Sequence, residues 1–198
     1  MNVPEPRSPS SWPGDHAPSN EPAPERDGDL SRSVLLLSGP NLTLLGLRQP
    51  EIYGTEILAD HVARAEAAAA SHGLSFRHLQ SDHEADLAQA VHLARGTVGA
   101  IVVNAGALTH YGWALHDALA CFDGVVVELH LSSPLAREPW RHISVIAPVA
   151  DGSISGLGGL GYELAIEAVA RLLDGREPSR QSMPLPGAVH AGDSGPPT

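Results

Sequence analysis

Lysine is absent from this 198-residue chain, and cysteine and aromatic residues are scarce. All 12 basic side chains are arginines, which excludes Schiff-base chemistry, a pyridoxal-phosphate lysine and a P-loop lysine. The lone Cys121 cannot form an internal disulfide or supply a multi-cysteine zinc site. No apolar run approaches the roughly 18 residues of a membrane span, and the N-terminus lacks the apolar core of a signal peptide. We therefore expect a soluble, cytoplasmic protein.

The charge balance is acidic, with 23 acidic side chains against 12 basic ones and a formal net charge of −11. The arginines form no basic run. Nucleic acid and anionic membranes attract clustered positive charge, so this balance argues against either as the main partner.

Proline marks the predicted domain boundaries. Seven of the 17 prolines fall within residues 1–30 and five within 175–198. The two terminal segments have few apolar side chains to offset the entropy lost on ordering. We predict a disordered arm at 1–31, rich in Pro, Ser and acidic residues, a single domain at 32–174, and a mostly disordered tail at 175–198.

Short apolar runs alternate with helical patterns inside this domain. The predicted strands cover residues 33–39, 74–79, 98–103, 125–131 and 142–146. The predicted helices cover residues 56–72, 84–94, 113–122 and 158–173, with Thr55 as the N-cap of the first. Strands alternating with helices predict an α/β fold with a five-stranded open parallel sheet that is covered on both faces.

Polar side chains follow the predicted strands at the points where those strands end. Asn41 follows the first strand, Asn104 and His110 follow the third, and Glu128 and His130 end the fourth. Parallel sheets bind ligands beyond the carboxyl ends of their strands, and residues two apart on a strand share a face. Each residue alone has an ordinary structural explanation, such as a turn-forming asparagine. Together they predict a polar site.

The connection after the first strand, residues 40–55, is unusually long and contains Arg48 and Tyr53. Loops of this length in compact domains are usually functional or disordered. One interpretation is an active-site lid that carries a cation and a phenol. The alternative is an ordinary surface loop with a solvated arginine.

Five segments of this domain have a recognisable combination of motifs, order and spacing. They read SGPNLTLLGLRQPEIYG, QSDHEADL, NAGALTHYGWALHDAL, ELHLSSPLAREPWRHISVIAPVA and GLGGLGYELAI. Together they resemble the type II 3-dehydroquinate dehydratases (dehydroquinases) across residues 33–174. The resemblance implies a flavodoxin-like fold, trimers assembled into a dodecamer, and cofactor-free, metal-free dehydration of 3-dehydroquinate to 3-dehydroshikimate in the shikimate pathway.

The resemblance also assigns catalytic roles. Tyr53 matches the family's base and Arg48 its essential loop arginine. A free tyrosine titrates near 10, so a base at neutral pH needs about 4 kcal/mol of favourable environment, which a nearby guanidinium can supply in part. Asn41 would stabilise the enolate through a bound oxygen or water, and His130 would protonate the leaving hydroxyl. Glu128 would orient that imidazole.

Substrate binding follows from the same matching. Arg141 would grip the substrate carboxylate, assisted by the Leu131–Ser132 backbone and the Ser132 hydroxyl. Asn104 and His110 would bind the ring hydroxyls.

Two further residues match the family with less definite roles. Asp117 matches a residue that reaches the site of a neighbouring subunit. Arg137 matches a second arginine near the lid, and either a direct role or a structural ion pair is open to it.

Other interpretations remain for this sequence. The same reaction could serve quinate breakdown, or the chain could be a non-catalytic binding module with a flavodoxin-like fold. The GxGxxG pattern at 156–161 precedes the last helix, so it predicts close packing rather than dinucleotide binding. A metal site at Glu128, His110 and His130 lacks a known ligand spacing.

The remaining histidines and the cysteine have structural predictions only. We expect Cys121 to be a small core residue. Four histidines are expected to be solvated: His61, His72, His78 and His92.

Overall fold

This computed structural model describes residues 30–47 and 54–175 of the chain. Nearly all of the predicted N-terminal arm and C-terminal tail lies outside the described residues, and so do Arg48 and Tyr53 of the long loop. Within the described ranges, every helix is too short or too polar to cross a membrane.

Five parallel strands form one sheet, which confirms the predicted fold class. They are β1 (Ser33–Ser38), β2 (Ser75–Gln80), β3 (Ala100–Asn104), β4 (Val125–His130) and β5 (Gly152–Ser155). Their order across the sheet is β2-β1-β3-β4-β5. This is the order of the flavodoxin-like doubly wound sheets, in which the strand order reverses between β1 and β3.

Four helices cover the two faces of the sheet. They are α1 (Leu58–Ser71), α2 (Glu84–Ala94), α3 (Trp113–Ala120) and α4 (Leu160–Asp174). Helices α1 and α4 pack together on one face, and α2 and α3 pack together on the other. The central strands β1, β3 and β4 are buried almost throughout because both of their faces are covered.

The predicted N-cap of the first helix is wrong. Helix α1 begins at Leu58, and Ile57 takes the N-cap position instead of Thr55. The backbone N–H of Ile57 donates to the Asp60 carboxylate at 3.0 Å. Asp60 therefore accepts the N–H of the N-cap residue, while its own N–H, which a capping hydroxyl would otherwise accept, donates to the Ile57 carbonyl at 3.1 Å.

The predicted fifth strand at 142–146 is also wrong, because β5 lies further along the chain. The Ser144 hydroxyl accepts the backbone N–H groups of Ile146 at 3.0 Å and Ala147 at 2.9 Å, which bends this segment into a turn. Ile146 is nevertheless fully buried, so the apolar pattern signalled burial rather than a strand. The true edge strand contains one large apolar residue, Ile154, and so carries little signal.

Cys121 and His61 both lie elsewhere than predicted. Cys121 is exposed, directly after α3. His61 is only 1 % exposed and stacks on the Tyr162 ring, with centroids 5.1 Å apart and planes 4° from parallel. It shares the buried face of α1 with Ala65 and Ala69, at positions i, i+4 and i+8. That spacing is the sequence signal for its burial.

The three other histidines that were predicted to be solvated differ in their exposure. His72 and His92 are exposed, as predicted. His78 is half-buried, with Nε2 3.0 Å from the Ser38 hydroxyl, and burial lowers its pKa.

Candidate active site

A cavity of about 150 Å³ opens at the carboxyl ends of β1, β3 and β4. This is where an open parallel sheet places its ligand site, next to the reversal of strand order. Most of the sequence-predicted site residues line it: Asn41, Asn104, His110, His130, Leu131, Ser132, Arg137 and Arg141.

The loop after β1 is pressed against the loop after β3. A Cβ on Gly39 would lie 2.5 Å from the Ala105 carbonyl oxygen, so glycine is required there. Asn41 follows in the left-handed conformation, with φ at 65°, and its N–H donates to the Asp82 carboxylate at 2.9 Å. This conformation is energetically costly for a residue other than glycine, and residues that adopt it are found preferentially at functional sites. The backbone thus holds Asn41 at the cavity wall.

Glu128 and His130, which end β4, form the chemical centre of the cavity. Glu128 is 2 % exposed, and its Oε1 lies 3.0 Å from His130 Nε2. Ser144 donates its hydroxyl to the same oxygen at 2.7 Å, and Thr109 donates to it as well. Ser153 donates to Oε2 at 3.1 Å. Both carboxylate oxygens are therefore satisfied, and His130 is fixed from beneath.

Two opposing effects set the charge of Glu128. Burial alone would raise the pKa of this carboxyl. The hydrogen bond and charge of His130, with the hydroxyl donors Thr109 and Ser144, outweigh burial and hold the pKa below its usual value. Glu128 is therefore a carboxylate at neutral pH, and it accepts a hydrogen bond from the adjacent imidazole.

The hydroxyl groups that hold Glu128 were not predicted as site residues. A glutamate among valines on a buried strand needs donors, and Thr109 directly precedes the predicted His110. The position of Thr109 next to His110 was therefore the sequence signal that could have identified it as a donor to Glu128. Ser144 and Ser153 come from the turn and the edge strand that the apolar pattern misassigned.

Asn104 and His110 form the wall beside this dyad. The buried Asn104 donates through Nδ2 to the Tyr162 hydroxyl at 3.1 Å and accepts the Gly106 N–H at 3.3 Å. His110 Nδ1 lies 2.8 Å from the Ile143 carbonyl oxygen. Because a carbonyl only accepts, Nδ1 carries the proton, and Nε2 is an acceptor in the neutral ring.

Two arginines supply positive charge at the cavity. Arg141 donates from Nε to Glu138 at 2.7 Å, and its guanidinium lies 4.0 Å from the centre of the Trp140 ring. Arg137 Nε is 3.7 Å from the same carboxylate. Trp140 also makes a T-shaped contact with His110, with ring centroids 5.2 Å apart and planes 80° from parallel. The sequence analysis did not predict this tryptophan, which contacts both Arg141 and His110.

The glycine-rich turn before α4 supports the backbone of the site. Gly156 donates its N–H to the His130 carbonyl at 3.2 Å, and Gly158 donates to the Leu131 carbonyl at 2.9 Å. A Cβ on Gly161 would lie 3.0 Å from the Leu129 side chain. The turn therefore packs closely against the end of β4, as the packing interpretation requires.

Asp117 stands apart from the cavity, and the three residues of the metal alternative do not converge on one point. Asp117 lies on α3 with its side chain 84 % exposed, and it does not line the cavity of its own chain. Across the described part of the chain, no three His, Cys, Asp or Glu side chains converge to hold a metal ion. Glu128, His110 and His130 do not form such a group.

Known proteins are similar to this chain in sequence and in architecture. The family model Dehydroquinase class II matches residues 32–170. A 3-dehydroquinate dehydratase of Ruegeria pomeroyi is 52 % identical over 70 % of this chain and 93 % of its own length. A catabolic 3-dehydroquinase of Aspergillus oryzae is 47 % identical over 75 % of this chain and 97 % of its own length.

A solved structure gives the same result. The crystal structure of the type II dehydroquinase from Propionibacterium acnes is 38 % identical and superposes with a TM-score of 0.68, covering 73 % of this chain and 99 % of that one. The family match, the curated relatives and the structural likeness agree. The chain belongs to the class II dehydroquinase family of enzymes.

Proposed function

We propose that this chain dehydrates 3-dehydroquinate to 3-dehydroshikimate. The observation that carries the proposal is the His130–Glu128 dyad, which lies at a cavity lined by Arg141 and Arg137. A proton donor beside a cationic wall suits elimination of a hydroxyl from a substrate that bears a carboxylate.

The elimination starts with removal of a proton α to the ketone. Tyr53 is the base in this proposal, and Arg48 favours its phenolate form, both by resemblance to the family. The resulting enolate is stabilised near Asn41, which lies at the cavity wall beside Leu42 and Leu45.

His130 then protonates the departing hydroxyl on the opposite side, so that the elimination is anti. The carboxylate of Glu128 accepts a hydrogen bond from Nε2 across the 3.0 Å contact and so orients the imidazole. Nδ1 is the ring nitrogen not engaged by Glu128, and we assign it to the leaving group.

The substrate carboxylate binds at Arg141, with the Leu131–Ser132 backbone and the Ser132 hydroxyl beside it. Asn104 has one Nδ2 hydrogen left after its bond to Tyr162, and Nε2 is the ring nitrogen of His110 that does not face the Ile143 carbonyl oxygen. A donor next to an acceptor is complementary to ring hydroxyls. Arg137 also approaches the Glu138 carboxylate that contacts Arg141, and it therefore affects the charge around the Arg141 guanidinium.

Assembly completes the proposal. By resemblance to the family, trimers assemble into a dodecamer, and the exposed Asp117 reaches the site of a neighbouring subunit. The proposed enzyme uses no cofactor and no metal, has neither nucleic acid nor membrane as a partner, and works in the cytoplasm. A sizing measurement tests the assembly.

The biosynthetic shikimate pathway is the proposed context, with quinate breakdown as the second candidate. The relatives carry both kinds of name, catabolic in Aspergillus oryzae and unqualified in Ruegeria pomeroyi. Deleting the gene separates the two: aromatic amino-acid auxotrophy supports biosynthesis, and loss of growth on quinate alone supports breakdown.

The enzymatic test is incubation of the full chain with 3-dehydroquinate while the enone absorbance of the product is followed. We expect turnover by the wild type, loss of turnover in Tyr53→Phe, and no change in the control Tyr111→Phe, whose side chain is exposed. Binding without turnover by the wild type would instead indicate a non-catalytic module. Full activity of Tyr53→Phe would refute the assigned base.

A further inference from the structure

Tyr162 lies behind the cavity and contacts the wall residue Asn104 from inside the protein. It comes from α4, is 1 % exposed, and does not line the cavity itself. Its hydroxyl oxygen is 3.1 Å from Asn104 Nδ2. A phenol buried this deeply is expected to serve a specific partner, because an unsatisfied buried hydroxyl is costly.

The Gly106 contact decides which end of the Asn104 amide carries the oxygen, and the Tyr162 contact holds the nitrogen end in place. The Gly106 N–H can only donate, so the group facing it at 3.3 Å must be the amide oxygen. The Tyr162 hydroxyl then accepts from Nδ2. Turning the amide over would set two donors against each other at Gly106. The second Nδ2 hydrogen is consequently the one available to the cavity.

His61 backs the Tyr162 ring on the side of α1. The two rings stack with planes 4° from parallel and centroids 5.1 Å apart. Burial raises the pKa of Tyr162 to about 12, so the hydroxyl stays neutral and retains its role as a hydrogen-bonding group. Helix α1, helix α4 and strand β3 are thus joined through His61, Tyr162 and Asn104.

We propose that Tyr162 is a positioning residue, which orients the Asn104 amide so that it donates a hydrogen bond to a ring hydroxyl of the substrate. This inference rests on the proposed function. Asn104 would contact a hydroxyl that takes no part in the bond changes, and so would stabilise the bound substrate and the transition state alike. Loss of such uniform binding raises KM and leaves kcat nearly unchanged.

The test is Tyr162→Phe, which keeps the ring and its stack on His61 while removing the hydroxyl. We expect KM for 3-dehydroquinate to rise about tenfold, with kcat within about twofold of wild type, which is the size of one lost hydrogen bond. Tyr111→Phe is the matched control and should leave both constants unchanged. A thermal melt confirms that the variants are folded. An unchanged KM, or a fall in kcat at unchanged KM, would overturn the positioning role.

A second comparison asks whether Tyr162 acts through Asn104. In an Asn104→Ala background, adding Tyr162→Phe should change KM by less than about twofold, because the group that it orients is already gone. A full tenfold effect in that background would contradict the proposal.

A crystal structure of Tyr162→Phe separates this inference from the proposed function. We expect the Asn104 side chain to leave its wild-type rotamer or to occupy more than one. An unmoved, singly ordered Asn104 would overturn the inference whatever the wild-type activity. Absence of wild-type turnover on 3-dehydroquinate would overturn the proposed function, and with it the assignment of a ring hydroxyl as the partner of Asn104.

Discussion

Glu128 at the carboxyl end of β4 and His61 at the contact between α1 and α4 are buried to the same degree but partnered differently. They are 2 % and 1 % exposed. The carboxylate of Glu128 accepts hydrogen bonds from three hydroxyl groups and contacts one imidazole. Neither ring nitrogen of His61 has a hydrogen-bond partner in the described part of the chain.

The difference shows two ways of placing an ionisable group in a protein interior. Hydrogen bonds hold Glu128 charged and fix His130 above it. Packing holds His61, with the Glu56 carboxylate 3.8 Å from Nδ1, beyond hydrogen-bond distance. Burial is the largest influence on the pKa of His61 and lowers it, against the opposing charge of Glu56. A buried ionisable group is therefore a candidate functional residue only where hydrogen-bond donors or acceptors surround it.

The largest expected effect is on kcat, and it follows from removing His130, the proposed proton donor that contacts Glu128. His130→Gln should lower kcat by about 10²- to 10⁴-fold, the usual contribution of a general acid. The fold should be retained, because the side chain is at the cavity rather than in the core. Steady-state kinetics on 3-dehydroquinate measure this, with the exposed His92→Gln as control. Activity within tenfold of wild type would exclude His130 as the acid.

Glu128→Gln is expected to cost about 1–3 kcal/mol of unfolding free energy at neutral pH, since charge-assisted hydrogen bonds are lost in the interior. The folded pKa of Glu128 is lowered from 4.5, so its stabilisation is complete above that value and is lost as the pH falls through the folded pKa. Urea unfolding between pH 3 and pH 7 should show a flatter acid limb in the variant. The exposed Glu66→Gln should follow the wild type; a parallel acid limb in Glu128→Gln would contradict the assignment.

His61→Leu should stabilise the protein by about 1 kcal/mol, because two unsatisfied nitrogens are replaced by an apolar side chain of similar volume. The folded pKa of His61 is lowered from 6.5, so the unfolded chain binds the proton first. Wild-type stability should therefore fall as the pH drops below about 6.5, more than that of the variant. Unfolding at pH 7.5 and pH 5.5 measures both effects. A less stable Leu variant would mean that the stack on Tyr162 or the Glu56 carboxylate, 3.8 Å from Nδ1, stabilises His61 by more than burial of its nitrogens costs.

The smallest effect belongs to the exposed ion pair at the outer wall. The pKa of the Glu138 carboxyl is held below its usual range. A hydrogen bond to the Glu138 backbone is the largest lowering cause, and the hydrogen bond to Arg141 is the next. Exposed pairs contribute little, so Glu138→Gln should lower KM by at most about twofold, by freeing Arg141 for the substrate carboxylate. A large rise in KM would show that Glu138 positions the guanidinium.

The parts predicted well from the sequence are those with a continuous pattern. The apolar runs of β1, β3 and β4 and the periodicity of α2 predicted these elements closely, because strands and helices covered by neighbours repeat their burial along the chain. The cavity-lining residues followed from motif order together with the rule for strand ends. The edge strand β5 and the hydroxyl groups of Ser144 and Ser153 had no such pattern, since their role depends on Glu128, a residue distant in the chain.

The sequence by itself determined the class of fold, the edge of the sheet that carries the site, and the family to which the residues belong. The tertiary structure alone decided that the His61 ring nitrogens have no hydrogen-bond partner in the described part of the chain, that three hydroxyl groups from separate segments meet at Glu128, and that Tyr162 contacts Asn104. The physical reason is that local patterns record how much of a residue is buried. The identity of its neighbours depends on long-range packing, which brings together segments that carry no mutual signal.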